Sequence, residues 1–571
     1  MAYLEEYARW SQQATDPDIC AELAAIRNDD LEQKARFSTA LAFGTAGLRG
    51  VLGAGTSRMN IYTVRRATQG LADYVNERFG GGCVAIAYDS RNMSTRFGEE
   101  VAGVLAANGI TAWIYDRLMP TPMLSFAVRE LGARAGVMIT ASHNPAEYNG
   151  YKAYGEDGCQ MTEENADWVY RKIQSVDEFE GVKKIDFKEG LAAGSIRYIG
   201  DAVIERYYEE VKKQQVNPGI CAAHPIKLVY SPLNGTGNEP VRRVLADIGV
   251  KDIAVVAEQE MPDGNFPTCT YPNPETKEAL RLGLALCEQE KPDLFIATDP
   301  DADRIGVAVK DKEEYKILSG NEVGVLLLDY IIKARKATGS MPSGPVAVES
   351  IVSTPLAAEI ARRNGVEMRV VLTGFKYIGE QILHLEQAGE TERFIFGFEE
   401  SCGYLAGGYV RDKDAVFASM LMCEMTAYYK SQGTTPCEVL EKLYEEYGYY
   451  RNRVLNFAFA GLDGPAKMAK VMDDLFAAPP AAVAGRKVEQ VLDYRAGTRT
   501  DVLTGARESL GLPSALVCEL RLAGGAAVIV RPSGTEPKMK LYMTAKENTA
   551  AGSEQTLDEV AADMKALLGL A

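Results

Sequence analysis

A serine, a histidine and an asparagine lie close together in MITASHNPAEYNGYKAY, residues 138–154. The apolar run before Ser142 predicts a buried strand, and Pro145 predicts that a loop follows it. Neighbouring residues on an extended chain point to opposite faces, so His143 is not expected to activate the hydroxyl beside it. Nor do glycines flank Ser142 in the G-x-S-x-G pattern of a hydrolase nucleophile. Two interpretations stay open at this point: a nucleophilic serine, or polar residues that cap a turn.

The stretch PDLFIATDPDADRIGVAV, residues 292–309, carries three aspartates at a spacing of two between two apolar runs. Carboxylates this close raise one another's pKa unless a cation holds them, and oxygen-only ligands favour a hard ion such as Mg²⁺. A calcium-binding EF-hand is excluded because Arg304 stands where that loop needs glycine. We therefore expect Asp299, Asp301 and Asp303 to hold Mg²⁺, with a solvated acidic turn as the alternative.

Of three further loops, one suits a phosphate, one suits sugar hydroxyls and one is rich in glycine. RPSGTEPKMKLY, residues 531–542, offers a bidentate arginine, two hydroxyls and a glycine, which together suit a phosphate. RFIFGFEESCGYLAGGYVRDKDAV, residues 393–416, places two glutamates beside a serine, which suits sugar hydroxyls. FGTAGLRG, residues 43–50, is a glycine-rich loop that ends in an arginine. Taken singly, a proline-glycine turn and a helix N-cap explain the first two equally well.

These loops must be positioned by regular structure, and apolar runs alternate with helical patterns from residue 62 onward. The alternation predicts layered α/β domains, and it recurs in residues 226–249 and 344–379. After residue 454 a helix, a loop-rich middle and a final strand and helix predict a domain of α+β type. The predicted domains are residues 1–203, 204–318, 319–445 and 446–571.

Charge and composition narrow the class of protein. The chain has 79 acidic and 62 basic residues and a net charge of −17, which argues against a nucleic-acid partner. No run of about 18 uncharged apolar residues appears, and the N-terminus is too polar for a signal peptide, so we expect no membrane partner and a cytoplasmic location. Ten cysteines without a C-x-x-C pair are expected to be reduced. Sequence alone does not give the oligomeric state.

In this order and spacing, TASHNP, DPDADR, GFEES and RPSGTEP resemble the motifs of the α-D-phosphohexomutase superfamily, which includes phosphoglucomutases and phosphomannomutases. FGTAGLRG, SPLNGTG, TGFKYIG and VRDKDAV resemble its longer, phosphoglucomutase-type members. The resemblance spans about residues 43–542 and implies a heart-shaped fold of three related α/β domains and a C-terminal α+β domain. It also implies an active site in a central cleft, with one motif from each domain.

The resemblance implies a phosphosugar mutase that interconverts glucose 1-phosphate and glucose 6-phosphate. Ser142 would carry a phosphoryl group and pass it to the substrate, giving a bound glucose 1,6-bisphosphate that turns over and returns the other phosphate. Mg²⁺ would be held by the phosphoserine and by Asp299, Asp301 and Asp303. Glucose 1,6-bisphosphate would also serve as activator.

Further site residues follow from the same resemblance. Lys413 matches the candidate general acid of the family, and His143, Lys152 and Arg49 would surround the phosphoserine. The residues implied to bind substrate are Thr45, Arg304, Thr373, Glu399, Ser401, Arg531, Ser533, Gly534 and Thr535.

Other activities stay open. A phosphomannomutase, phosphopentomutase or phosphoglucosamine mutase would use the same mechanism, and Cys402 stands where many members have glycine, so substrate preference is not fixed. Pro300 likewise replaces a more usual glycine in the metal loop. A haloacid-dehalogenase-type phosphatase would use Asp299 as nucleophile, but Asp303 departs from its pattern and TASHNP would be unused. A non-catalytic phosphosugar-binding protein has little to explain Ser142 and Lys413.

Overall fold

The structure is a computed structural model that describes residues 2–44, 47–459, 463–532 and 538–570. The chain forms two compact units. The first comprises the residues up to Gly320 with Ile378–Gly397 and Ser401–Gly433, and the second comprises Asn321–Tyr377, Phe398–Glu400 and the residues from Thr434 onward.

Three helices precede the first sheet: α1 (Ala2–Gln13), α2 (Pro17–Ala25) and α3 (Asp30–Phe37). The Asp16 carboxylate caps α2 by accepting the Ile19 N–H at 3.2 Å. Trp10 of α1 is fully buried, and its ring centroid lies 5.4 Å from that of Tyr62. These aromatic contacts fasten the N-terminal helices to the first α/β layer.

The first sheet has the strand order β1-β5-β4-β2-β3-β6. The strands β4, β2, β3 and β6 are parallel. At one edge β5 pairs antiparallel with β4, and β1 pairs antiparallel with β5. Helices pack on it as the α/β alternation predicts. Its elements are β1 (Gly47–Val51), α4 (Ile61–Phe79), β2 (Cys83–Tyr88), α5 (Ser94–Ala107), β3 (Thr111–Ile114), α6 (Thr121–Glu130), β4 (Ala135–Ile139), β5 (Tyr148–Gly155), α7 (Glu163–Ser175), α8 (Phe187–Ala193) and β6 (Ile196–Tyr198).

The second sheet has the order β11-β10-β9-β7-β8, in which β9, β7 and β8 are parallel, β10 is antiparallel to β9, and β11 is antiparallel to β10. Its elements are α9 (Asp201–Lys212), α10 (Ile220–Ala223), β7 (Lys227–Ser231), α11 (Asn238–Asp247), β8 (Asp252–Val255), α12 (Ala257–Glu260), α13 (Lys277–Glu290), β9 (Leu294–Thr298), β10 (Ile305–Asp311) and β11 (Glu314–Leu318).

The third α/β segment contains a parallel pair, β12 and β13, joined by a helix as the sequence pattern predicts. The helix α17 is buried on nearly all sides, which matches its almost uniformly apolar sequence. The elements are α14 (Gly320–Thr338), β12 (Val346–Ser350), α15 (Pro355–Asn364), β13 (Glu367–Val371), α16 (Phe375–Gln387), a 3₁₀ turn (Thr391–Arg393), β14 (Phe394–Glu399), β15 (Gly403–Leu405), α17 (Ala415–Ser431) and α18 (Pro436–Tyr447).

The C-terminal part is an antiparallel sheet of order β16-β23-β22-β21-β18-β19-β20, with β17 paired to β18. A core that includes Leu520, Leu541 and Met564 joins the sheet to the last helix, so the predicted α+β architecture is confirmed. The elements are β16 (Tyr449–Ala458), α19 (Gly464–Ala477), β17 (Ala482–Val483), β18 (Arg486–Asp493), β19 (Thr498–Asp501), β20 (Arg507–Ser509), β21 (Cys518–Leu522), β22 (Ala527–Pro532), β23 (Lys538–Glu547) and α20 (Ala550–Leu567).

Two fully buried strands deliver the main candidate groups. Every residue of β4 and of β9 is buried, as expected for central strands covered on both faces. Ser142 lies just past the end of β4, and Asp299 directly follows β9. All ten cysteines are free thiols, as predicted. Within the described ranges, no helix is both long and apolar enough to span a bilayer.

Candidate active site

Ser142 lies in a tight turn after β4 and is 3% exposed. Its φ of 52° lies in the left-handed region, which is unfavourable for a residue with a Cβ atom. The Ser142 hydroxyl donates to Asp299 Oδ2 at 2.9 Å, and its backbone N–H donates to Thr140 Oγ1 at 2.8 Å. The serine of the first sheet and the acidic loop of the second sheet therefore meet at one point.

His143 lies closer to the serine hydroxyl than the sequence predicts. Its Nδ1 is 3.2 Å from Ser142 Oγ, because the left-handed turn breaks the alternation of an extended chain. The expectation that the two side chains point apart was wrong for this reason. Burial lowers the pKa of His143 well below its ordinary value, and the nearby Arg304 and Arg49 guanidinium groups lower it further. The imidazole is therefore neutral at neutral pH.

The carboxylates of Asp299, Asp301 and Asp303 converge in the loop between β9 and β10. One ligand atom from each lies within 4.8 Å of the others, and all three residues are buried. The backbone turns so tightly because Ala302 has a φ of 47° and Asp299 Oδ1 accepts the Asp303 and Arg304 N–H groups at 3.1 and 3.0 Å. A spacing of two in sequence thus becomes a compact group of three acids.

Two lysines balance this acidic group. Lys152 of β5 lies 2.8 Å from Asp301 Oδ2, and Lys413 lies 3.1 Å from Asp303 Oδ2. Burial raises the pKa of Asp299 well above its ordinary value, and repulsion from Asp301 and Asp303 raises it further. Burial also opposes ionisation of Asp301, but the Lys152 ammonium outweighs it and holds the pKa of that carboxyl below its usual range. Asp301 is therefore favoured to be ionised, whereas Asp299 is favoured to keep its proton.

The acidic group has unused ligand capacity. Asp301 Oδ1 and Asp303 Oδ1 are both buried without a hydrogen-bond partner in the described ranges, and Arg304 Nε is 3.6 Å from the latter, beyond hydrogen-bonding distance. Buried carboxylate oxygens without partners are costly unless a cation or proton meets them. Three convergent carboxylates with two such oxygens fit a hard divalent cation.

Lys413 is fixed by a second set of contacts. Its ammonium is 3.0 Å from Asp412 Oδ1, and the Tyr154 hydroxyl donates to Asp412 Oδ2 at 2.7 Å. Lys413 is only 8% exposed, so both carboxylates that flank it act through a poorly solvated medium. The sequence motif VRDKDAV therefore delivers an oriented ammonium to the edge of the acidic group.

The remaining predicted groups of the first unit lie around this centre. Arg49 on β1 is exposed, and its guanidinium donates to Asn144 Oδ1 in the serine loop at 3.3 Å. Arg304 donates to Glu275 at 2.9 Å. Cys402, which follows Ser401, has a φ of 62°, and its carbonyl accepts the N–H of Ile305 at 3.1 Å. The left-handed backbone explains why glycine suits the position that Cys402 occupies.

In the second unit, Glu400 of the sugar loop and Arg531 of RPSGTEP both influence the phenol of Tyr542. Burial raises the pKa of Tyr542, the Glu400 carboxylate raises it further and the Arg531 guanidinium lowers it. Glu399 is buried, and its Oε1 accepts the Gly374 N–H, next to Thr373, at 2.7 Å. Thr45, Ser533, Gly534 and Thr535 lie outside the described residues.

Several polar residues that belong to the site were not identified from the sequence. Thr121 donates to Asp301 Oδ2 at 2.8 Å, and Arg91, Asp89 and Thr140 contact the serine loop. Asp89 and Arg91 directly follow β2, so polar residues at the carboxyl end of a buried strand were the available signal. Thr121 carries no such signal, because its role depends on the docking of two sheets.

Comparison with known proteins matches this architecture. Residues 40–180, 205–312 and 319–447 match the models of phosphoglucomutase/phosphomannomutase alpha/beta/alpha domains I, II and III. A phosphoglucomutase of Staphylococcus saprophyticus is 39% identical over 515 residues, which is 90% of this chain and 92% of that protein. One of Staphylococcus haemolyticus is 36% identical over 513 residues, 90% of this chain and 91% of that protein.

Two solved structures share the fold. The open form of pp63/parafusin, a phosphoglucomutase from Paramecium, has a TM-score of 0.68 at 17% identity and covers 93% of this chain and 95% of its own. A phosphoglucomutase/phosphomannomutase family protein of Burkholderia thailandensis has a TM-score of 0.66 at 19% identity and covers 92% of this chain and 97% of its own.

Proposed function

This chain belongs to the phosphoglucomutase/phosphomannomutase family, and we propose that it interconverts glucose 1-phosphate and glucose 6-phosphate through a phosphoserine at Ser142. The observation that carries the proposal is the 2.9 Å contact between Ser142 Oγ and Asp299, beside two buried carboxylate oxygens without partners. Glucose is the proposed sugar because the curated relatives at 39% and 36% identity are phosphoglucomutases.

In the proposed cycle the phosphoryl group moves from Ser142 Oγ to a hydroxyl of the bound monophosphate, and the other phosphate of the resulting glucose 1,6-bisphosphate returns to Ser142. The proton that the sugar hydroxyl loses as its bond to phosphorus forms balances the proton that Ser142 Oγ gains as its own bond to phosphorus breaks, and Lys413 is the proposed general acid. His143, neutral and 3.2 Å from Ser142 Oγ, hydrogen-bonds to the serine without adding a charge. Glucose 1,6-bisphosphate is also the proposed activator, since it phosphorylates an enzyme that has lost its phosphate.

Asp299, Asp301 and Asp303 are the proposed ligands of Mg²⁺. When bound, the cation supplies Lewis-acid stabilisation of the charge on the transferring phosphoryl group. Lys152 holds Asp301 ionised and adds positive charge next to the serine loop. Arg49 and Arg304 extend that positive charge outward from the acidic group.

Substrate recognition is proposed to rest on the second unit and on Ser401. Glu399 and Ser401 would bind sugar hydroxyls, with Thr373 as a further contact. Arg531 would grip the phosphate that is not being transferred, together with Ser533, Gly534 and Thr535; Thr45 would add a contact from the first loop. The proposed location of the reaction is the cytoplasm.

A coupled assay tests the proposal. Formation of glucose 6-phosphate from glucose 1-phosphate should require Mg²⁺ and trace glucose 1,6-bisphosphate, and should exceed turnover of mannose 1-phosphate and ribose 1-phosphate. Mass spectrometry after incubation with the bisphosphate should find phosphate on Ser142, and Ser142→Ala should be inactive. An aspartyl phosphate at Asp299 together with an active Ser142→Ala would establish a phosphatase in place of the mutase.

A further inference from the structure

Arg91 lies in the turn after β2, and its side chain is buried against the loop that carries Ser142. One terminal nitrogen, Nη2, donates to the carbonyls of Ser142 and Asn144. The other, Nη1, donates to the carbonyls of Pro145 and Tyr148 at 2.8 and 3.0 Å. The four N–H groups of the two terminal nitrogens therefore match four carbonyls of a single loop.

A second connection runs from the same turn to the serine backbone. The Thr140 hydroxyl donates to Asp89 Oδ2 at 2.6 Å and accepts the Ser142 N–H at 2.8 Å. Asp89 Oδ1 accepts the backbone N–H of Arg91 at 3.0 Å, and Arg91 Nε lies 3.5 Å from Asp89 Oδ2. The Ser142 carbonyl is thus held by Arg91, and the Ser142 N–H is held by Thr140, which is itself bound to Asp89 in the same turn as Arg91.

These contacts hold a conformation that Ser142 would not adopt by itself. A φ of 52° is unfavourable for serine and persists only where the surroundings fix it. In this conformation Oγ faces Asp299. Arg91 is itself fixed from the second α/β segment, because its guanidinium carbon lies 5.0 Å from the ring centroid of Phe266. The guanidinium is therefore a rigid template and not a mobile surface charge.

We propose that Arg91 is a positioning residue for phosphoryl transfer, which acts by holding Ser142 in its left-handed conformation with Oγ aimed at the acidic group. This inference rests on the proposed mutase function. Planarity is the essential property, because a flat fork can meet four carbonyls at once, whereas a lysine offers three donors from one point. Charge without the fork should therefore not suffice.

The test compares Arg91→Lys with Arg91→Met and with the control Arg65→Lys. Arg65 makes a bidentate pair with Glu100 at 2.6 Å on the helices of the same sheet, away from the serine loop. Displacing a reacting group by about 1 Å costs about 100-fold in rate, so both Arg91 variants should lose about that much in kcat. KM should stay within about threefold, and phosphorylation of Ser142 by glucose 1,6-bisphosphate should slow in parallel. Hydrogen exchange in residues 140–150 should accelerate in both, but not in Arg65→Lys.

Restoration of the wild-type kcat by lysine would overturn the proposal, since charge alone would then account for the effect of Arg91. An inactive wild type would instead refute the mutase function itself. If the Arg91 variants do not fold, Thr140→Val decides the question, because it leaves Arg91 in place and removes the hydroxyl that links the Ser142 N–H to Asp89. It should lower kcat about 10-fold with KM unchanged, and a wild-type kcat in this folded variant would also overturn the proposal.

Discussion

Asp301→Asn should separate the role of the acidic group in stability from its role in binding a cation. The three ligand atoms lie within 4.8 Å of one another. At an effective dielectric constant of about 20, Asp301 is repelled by each neighbouring carboxylate by at least about 3.5 kcal/mol and attracted by Lys152, 2.8 Å away, by about 6 kcal/mol. Because Asp299 is not favoured to be ionised, the attraction opposes only the repulsion from Asp303, and the metal-free variant should lose up to about 2.5 kcal/mol of stability at neutral pH.

Cation binding should respond very differently. Asparagine keeps the size of the side chain but removes one of the three charges that attract the ion. Because loss of even an outer-shell partner lowers metal affinity by about 10- to 100-fold, loss of a ligand charge should lower the affinity for Mg²⁺ by at least about 100-fold. Turnover at saturating substrate should fall with it, since the charge on the transferring phosphoryl group is no longer balanced.

Isothermal titration of metal-free protein with MgCl₂ measures this affinity, and urea unfolding measures stability. Asp329→Asn is the matched control, because Asp329 is also buried and pairs with Lys333 at 2.9 Å but belongs to no acidic cluster among the described residues. It should bind Mg²⁺ as wild type does, and because burial raises the pKa of Asp329, the substitution should not lower stability at neutral pH. An Asp301→Asn protein that binds Mg²⁺ within about threefold of wild type would refute the assignment of this group as the metal site.

Three further outcomes are expected. Burial raises the pKa of Glu349 well above its ordinary value, so stability is lost as pH rises from about 4.3 toward the pKa of the folded state. Urea unfolding should therefore show Glu349→Gln to be more stable than wild type at pH 8 but not at pH 4, whereas substitution of the exposed Glu367 by glutamine should show no such difference. Arg531→Ala should lower kcat/KM about 10- to 150-fold in both directions with an unchanged equilibrium constant, and wild-type kcat/KM would exclude the phosphate clamp. Trp10→Ala should cost about 3–5 kcal/mol in unfolding of the first unit, and a loss below 1 kcal/mol would show that the N-terminal helices are dispensable.

Strand ends carried most of the predictable information about the site. Ser142 and Asp299 were found because apolar runs long enough to be buried strands stop abruptly at polar residues. Binary patterning alone also separates the α/β segments from the C-terminal sheet, since helices follow most of the parallel strands in the former. The N-terminal helices were not predicted, although Asp16 before Pro17 is a helix-start signal.

Residues with positive φ were the main feature that the sequence did not predict. Ser142, Ala302 and Cys402 all have a positive φ without being glycine, and local preference would place each elsewhere. Each is fixed by contacts between segments distant in sequence, such as the bond from the N–H of Ala415 to the carbonyl of Ala302, 3.2 Å long. With only a few neighbouring residues to argue from, an extended chain is assumed at Ser142, and the His143 side chain is therefore placed on the wrong side of the serine.

The charges at the site also explain how so acidic a chain can handle a phosphorylated sugar. When Asp299 is ionised together with Asp301 and Asp303, three negative charges face the two ammonium groups of Lys152 and Lys413. Both lysines then form ion pairs with carboxylates, and the group carries a net charge of about −1, which would repel a phosphate. A divalent cation held by the same carboxylates would change that net charge to about +1 and free the lysines to face the phosphoryl group. The net charge of −17 is therefore no obstacle, because the proposed cation, and not the surface, would set the sign of the charge at the reacting centre.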